Sequence, residues 1–209
     1  MIPRPAASLV LALVMLAAPP AARAADSEAE GGTDISYRHK GQIGIYSQLG
    51  IGYRFIARYD DNDFCGKAAS AVCTGGTPPW IELGVSYGAS NSLELITDVR
   101  IGLGTDFKPE TSSASAPRNL VVAPGLKVFI DDEGSLKWFS TFQLAIDLTD
   151  YTASGVKTKV DFGERSVIGL LIDLHRTFGV YVHGGVTFGF VRWFRFEMDG
   201  GVGLQARFP

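Results

Sequence analysis

The sequence predicts an all-β fold, an eight-stranded antiparallel up-and-down transmembrane β-barrel that follows a cleaved N-terminal signal peptide. Three observations carry that expectation. The chain opens on an export segment, the rest alternates apolar and polar residues in eight successive stretches, and the connections between those stretches are alternately long and short.

The export segment has the three parts that secretion requires. Arg4 supplies the positive start, residues 6–18 are a short apolar run, and Ala22-Arg23-Ala24 follows the break at Pro19-Pro20 as a small-x-small cleavage pattern. The run is too short for a spanning helix, which needs about 20 residues. The expected organisation is a signal peptide over 1–24, a flexible periplasmic leader over 25–39 and a barrel over 40–209. No later stretch is long and apolar enough for a spanning helix.

The strands follow in order, each read from a period of two. Residues 42–57 set Ile43, Ile45, Leu49, Ile51, Tyr53 and Phe55 against Gln42, Gly44, Gln48, Gly52 and Arg54. Residues 80–88 set Ile81, Leu83, Val85 and Tyr87 against Glu82, Gly84 and Ser86. In 92–103, Leu93, Leu95, Val99, Ile101 and Leu103 oppose Glu94, Asp98, Arg100 and Gly102. In 119–130, Leu120, Val122, Leu126, Val128 and Ile130 oppose Asn119, Gly125 and Lys127. Residues 136–147 place Leu136, Trp138, Phe142, Leu144 and Ile146 opposite Lys137, Thr141, Gln143 and Asp147. Residues 161–173 are noisier, with Phe162, Ile168, Leu170 and Ile172 opposite Asp161, Gly163, Arg165, Gly169 and Asp173. Residues 178–190 alternate Phe178, Val180, Val182, Val186, Phe188 and Phe190 with Tyr181, His183, Gly185, Thr187 and Gly189. Residues 195–208 alternate Phe196, Met198, Val202, Leu204, Ala206 and Phe208 with Arg195, Glu197, Asp199, Gln205 and Arg207.

Long connections are expected over 58–79, 105–118 and 148–160, and short turns at Ala89-Ser90-Asn91, Asp131-Asp132-Glu133-Gly134 and His175-Arg176-Thr177. The fourth connection on the long side, near Arg192-Trp193-Phe194, is also short. Short turns on one side and longer loops on the other, with an even strand number, match membrane barrels whose termini share the periplasmic side. Closure leaves no edge exposed.

Alternation does not say which face meets solvent, so other features must. Ten glycines fall on the polar faces: Gly44, Gly50, Gly52, Gly84, Gly102, Gly125, Gly163, Gly169, Gly185 and Gly189. Small residues suit a narrow lumen crowded by side chains. Tyr87, Trp138, Phe178 and Phe208 lie on the apolar face at the short-turn end, and Phe55, Phe190 and Phe196 at the loop end with Trp193 close by. Together they read as two interfacial aromatic girdles. The chain ends Gly201-Val202-Gly203-Leu204-Gln205-Ala206-Arg207-Phe208 before Pro209. This resembles the terminal signal read by the outer-membrane barrel assembly machinery, with Gly203 and Phe208 at its glycine and final aromatic. Ala206, Gly201 and the extra Pro209 depart from that pattern.

From about residue 40 onward the sequence resembles small outer-membrane barrels of the outer-membrane protein A transmembrane-domain type. The resemblance implies a porin-like architecture in the bacterial outer membrane, surrounded by outer-membrane lipid, inserted by the assembly machinery and monomeric. It implies fold and place more firmly than activity.

Cys65 and Cys73 would lie in an oxidising compartment, within a stretch of turn-forming residues, and are expected to form a disulfide across one exposed loop. No further Cys or His lies at ligand spacing, so no metal and no cofactor are expected. The whole chain carries 19 basic and 22 acidic residues, and the signal would remove Arg4 and Arg23. That mildly acidic balance argues against nucleic acid as a partner. The expected lumen network comprises Arg54, Glu82, Glu94, Asp98, Arg100, Lys127, Lys137, Asp147, Arg165, Asp173, Glu197 and Arg207, with Asp161 on the same parity. Both signs are present in similar number, as buried charges require.

Eight strands leave an interior just wide enough for side chains, so the network is expected to fill the barrel. The alternative is a small channel or transporter for ions or apolar solutes. Enzymatic readings find less support. His39, His175 and His183 belong to no triad motif, and the lipid-modifying barrels need a His and a Ser at the lipid face, where His183 has the wrong parity. The glycine pairs Gly50-x-Gly52 and Gly102-x-Gly104 precede no phosphate-cradling loop. The expected role is structural or surface-interacting, through the outer loops.

Overall fold

The computed structural model describes residues 38–59, 64–65, 72–105, 118–130, 134–152, 156 and 158–209. The expected signal peptide, and the expected leader apart from Arg38 and His39, lie outside the described residues. So do residues 131–133 of the expected turn and much of the long connections.

Alternating residues build the wall. Eight strands, β1 (Ile43–Ala57), β2 (Val72–Gly88), β3 (Leu93–Gly102), β4 (Leu120–Phe129), β5 (Leu136–Asp147), β6 (Asp161–His175), β7 (Phe178–Gly189) and β8 (Phe194–Phe208), pair in sequence order and close into a barrel. Every pairing is antiparallel, and β1 meets β8 from Ile43 opposite Phe208 to Ala57 opposite Phe194. Closure satisfies backbone groups within the wall, as lipid demands.

The pleat sends apolar residues out and polar residues in. Leu144 is 51 % exposed while Gln143 beside it is 4 % exposed. Leu49, Val202, Val182, Ile168 and Leu126 likewise face outward, on β1, β8, β7, β6 and β4. The lumen is therefore the core of this protein, and its wall presents the apolar surface that a water-soluble protein would bury.

Two local departures have clear causes. The pairing of β4 with β5 lapses between Val122 and Gly125, where Pro124 has no N–H to give. From the lumen side, the Gln143 side chain donates to the Ala123 carbonyl at 3.0 Å, covering an acceptor that the lapse leaves open. The second departure is β2, expected to begin at residue 80 but running from Val72. Its first residues pair with Arg54–Ala57 beyond an irregularity between Gly50 and Gly52. Gly75-Gly76 and Pro78-Pro79 hide this strand from local reading, because the partner strand and not the period fixes it.

Candidate functional site

The lumen is the candidate site, and its charges are stacked along the strands. Near the turn end, Arg207 reaches Asp173 at 2.8 Å and Glu94 at 3.4 Å, while Lys137 pairs with Asp173 at 3.0 Å. Above them Lys127 lies 3.8 Å from Glu94 inside a box of rings. Its ammonium is 4.7 Å from the centre of Tyr46, 5.1 Å from Phe139 and 5.7 Å from Tyr181. Rings offer a desolvated cation their negative faces, which offsets part of the cost of burial.

The middle of the lumen is organised by two arginines. Arg165 pairs with Glu82 at 3.0 Å, Asp98 at 3.7 Å and Asp199 at 3.7 Å, and donates to Gln143 at 3.2 Å. Arg100 pairs with Glu82 at 2.9 Å, Glu197 at 3.0 Å and Asp199 at 3.1 Å while lying 4.0 Å over the Trp80 ring. Asp98 also accepts from the Tyr46 hydroxyl and from Gln143 at 2.5 Å. Toward the loop end, Arg54 pairs with Glu197 at 2.8 Å and Arg195 with Asp147. Asp161 caps the turn after β7 by accepting from the backbone N–H of Val191 at 2.8 Å and Arg192 at 3.0 Å.

All twelve charges expected from the sequence point inward and are buried. Arg192, Arg195, Asp161 and Asp199 join them, so Arg54, Arg100, Lys127, Lys137, Arg165, Arg192, Arg195 and Arg207 face Glu82, Glu94, Asp98, Asp147, Asp161, Asp173, Glu197 and Asp199. The signs balance, which is what a low-dielectric interior requires of buried ions. Two cavities in this network, about 10 Å³ between Arg100, Arg165 and Arg195 and about 20 Å³ between Tyr46, Lys127 and His183, have room for about one water molecule each.

Each mouth of the barrel holds a plug that the sequence did not announce. At the turn end the plug is His39, expected in a flexible leader but 2 % exposed. Gly41 adopts φ +80°, a conformation that bends the chain back over the mouth and favours glycine. The His39 ring then lies 3.1 Å from Glu94, 3.5 Å from Asp173 and 2.9 Å from the Lys137 ammonium, edge-on to Phe129. Gly88 is required beside it, since a Cβ there would overlap the His39 carbonyl.

At the loop end the plug is aromatic. Phe64, Cys65, Tyr151, Val156 and Trp193 pack on Ile56, with Cys73 against their edge. Trp193 is fully buried, so it does not belong to the outer girdle in which it was expected; its short turn folds over the mouth and turns the ring inward. Arg192 locks this plug by donating to the backbone carbonyls of Thr158 (3.0 Å), Thr149 (3.0 Å) and Lys159 (2.7 Å), with its guanidinium 4.7 Å from the Tyr151 ring. Asp150 beside Tyr151 accepts from Thr152, whose hydroxyl and N–H hold its carboxyl below the usual carboxylate range.

Cys65 and Cys73 are joined, with Cα atoms 5.6 Å apart. The expected bridge is present, and residues 66–71 of the loop it closes lie outside the described residues. Cys65 is buried in the aromatic plug and Cys73 belongs to β2 opposite Ile56, so the disulfide ties the plug to the wall. The two residues of the terminal motif have visible structural places. Phe208 faces outward and pairs with Ile43 where the barrel closes, and Gly203 lies under the Tyr181 ring, which a Cβ would overlap. Gly84 under Tyr46, Gly169 under Phe139 and Gly50 under Trp80 repeat that arrangement.

His183 lies between the rings of Trp80 and Tyr181, 6.1 Å from each, and neither ring nitrogen has a hydrogen-bond partner among the described residues.

No family model matches the chain, and no curated protein matches its sequence. Solved structures do match its fold. The N-terminal β-barrel domain of OprF from Pseudomonas aeruginosa is similar at a TM-score of 0.54 and 9 % identity, over 81 % of this chain and 98 % of that one. Neisserial surface protein A is similar at a TM-score of 0.50 and 10 % identity, over 78 % and 97 %. With its apolar exterior and ion-paired interior, the chain is an integral membrane barrel with the fold of the small eight-stranded outer-membrane proteins.

Proposed function

We propose that this chain works in the outer membrane of a Gram-negative bacterium as a non-conducting scaffold, which presents its long-loop end at the cell surface for contact with other molecules. The observation that carries this reading is the lumen. Its charged side chains are paired along the whole barrel, and His39 at one end and the Trp193 cluster at the other stop both mouths. An ion crossing this interior would have to break several buried pairs, each costing about 3–5 kcal/mol to disrupt from one side. The reading assigns the lumen no catalysis and no transported solute. It takes Gly203 and Phe208 as the exit signal for the assembly machinery, and the working form as a monomer.

Planar-bilayer recording on the refolded protein tests it. The expected trace shows no unitary steps above the lipid baseline. Steady, reproducible steps that persist in the disulfide-bonded protein would favour the channel reading instead.

A further inference from the structure

The outward phase of the wall carries one exception to its chemistry. Among the residues of the eight strands, Glu164 on β6 is the one acidic or basic side chain on that phase. It lies between Phe162 and Ile168, which are 44 % and 57 % exposed, and it is itself partly exposed. Across the strands its neighbours are Leu144 on β5 and Phe188 on β7. A charged side chain facing lipid is costly, and such residues as a rule have a partner and a function.

Its depth decides what that partner can be. Glu164 lies three residues from Asp161, the loop end of β6, about 10 Å along a tilted strand. In register it continues the row Phe55, Phe196, Phe188, whose first two rings belong to the loop-end girdle expected from the sequence. The Phe188 ring lies 5.2 Å from Phe196 and stacks parallel to Phe190 at 6.5 Å. Aromatic rows mark the level of the lipid headgroups, so Glu164 meets the zone where headgroups join their acyl chains. The Ser166 hydroxyl, on the same outward phase, donates to the Glu164 carboxyl and holds it against the wall. Ser140, the outward hydroxyl on β5, is instead spent on the Val167 carbonyl at 3.2 Å.

A carboxylate only accepts hydrogen bonds, and one serine donor leaves most of its acceptor sites open. At that depth a glycerophospholipid presents ester and phosphate oxygens, which are acceptors too. An acylated amino sugar presents hydroxyl and amide N–H donors where its chains begin. We infer that Glu164 and Ser166 form a recognition point on the lipid-facing wall for one glycolipid of the leaflet at the loop end, whose hydroxyl or amide N–H groups donate to the carboxylate. Such hydrogen bonds are charge-assisted and, away from bulk water, stronger than their counterparts in solution. This inference rests on the reading that places the loop end at the cell surface. Its test measures lipid binding and not conductance, so either can fail alone.

The probe is monophosphoryl lipid A, titrated into the refolded protein in phosphatidylcholine nanodiscs with EDTA present. The carboxyl carbon of Glu164, assigned by its loss in Glu164→Gln from glutamate-labelled protein, reports contact by NMR, and native mass spectrometry measures bound probe. The expected result is a saturable shift of that signal. Glu164→Leu, which keeps the wall apolar and should fold as the parent does, should weaken binding about tenfold, the loss of a hydrogen bond to a charged group. Ser166→Ala should weaken it by a smaller factor, about threefold, because the carboxyl is no longer held. The inference is overturned if Glu164→Leu binds the probe as the parent does, if phosphatidylethanolamine shifts the Glu164 signal as far as the probe, or if the shift appears only when divalent cations replace EDTA.

Discussion

Arg165 is the residue on which the lumen account places most weight. It alone among the described residues touches Glu82, Asp98, Asp199 and Gln143, which come from four different strands. Arg165→Leu would leave Glu82 and Asp199 to share Arg100 with Glu197, and Asp98 without a paired cation among the described residues. Removing one partner of a buried ionic cluster costs about 3–5 kcal/mol, chiefly because the remaining charge is stranded. Asp98→Asn should relieve much of that cost in the double variant. The amide can still accept from Gln143 and can donate to the Tyr46 oxygen, and the surplus negative charge is gone. Equilibrium urea unfolding in short-chain phospholipid vesicles, on the two single variants and the double, measures this directly. A coupling energy of about 1–3 kcal/mol is expected between the two positions. Additivity within about 0.5 kcal/mol, or an Arg165→Leu variant as stable as the parent, would refute the claim that these ions are packed against one another.

Other perturbations follow from the same geometry. Leu144→Arg, on the outward face, should cost about 2–4 kcal/mol at mid-membrane depth and less toward the loop end. Gln143→Leu, an apolar change at the preceding residue, should also destabilise, by about 1–3 kcal/mol, because the Ala123 carbonyl and Asp98 each lose a donor; a Gln143→Leu variant as stable as the parent in unfolding assays would count against the inside–outside assignment. Replacing Cys65 and Cys73 together with Ser should leave insertion intact and lower stability by about 2–3 kcal/mol, the chain-entropy value for so short a loop. Parent-like stability of that variant in the same unfolding assay would show that the bridge does not hold the plug. Phe208→Ala should reduce the inserted amount in cells severalfold, yet cost the refolded protein less than about 3 kcal/mol, since the ring is 50 % exposed; normal insertion in cells would remove it from the exit signal.

Much of this architecture was legible because one rule governs it. A period of two with polar residues on one phase and aliphatics on the other marks a wall with two different solvents, and most of the strand residues follow it. The inward charges could be named from parity alone. Of the inward rings, only Tyr181 could be. Tyr46, Trp80, Phe129, Phe139 and Tyr181 sit on the polar phase, where an apolar ring looks like noise. The signal that could have found four of them is the glycine each covers, Gly84 for Tyr46 or Gly203 for Tyr181, on a neighbouring strand and so distant in sequence. His39, Arg192 and Trp193 were beyond reach for another reason. They lie in turns and in the leader, where no period exists, and only the closed barrel gives them a mouth to fill. The extension of β2 likewise depends on a partner strand and not on its own residues.

The account rests on a barrel whose apolar outside meets lipid and whose interior meets neither lipid nor bulk water. Methyl NMR of the refolded protein in nanodiscs tests both halves at once. A nitroxide carried on the lipid acyl chains is expected to broaden the methyl signals of Leu49, Leu144, Ile168 and Val202, which face outward. The methyls of Ile96, Val121, Val167 and Leu171 are buried in the lumen and should be broadened neither by that probe nor by a water-soluble one. Broadening of the lumen methyls by the water-soluble probe would mean an open interior, and broadening of them by the lipid probe would mean that inside and outside have been exchanged.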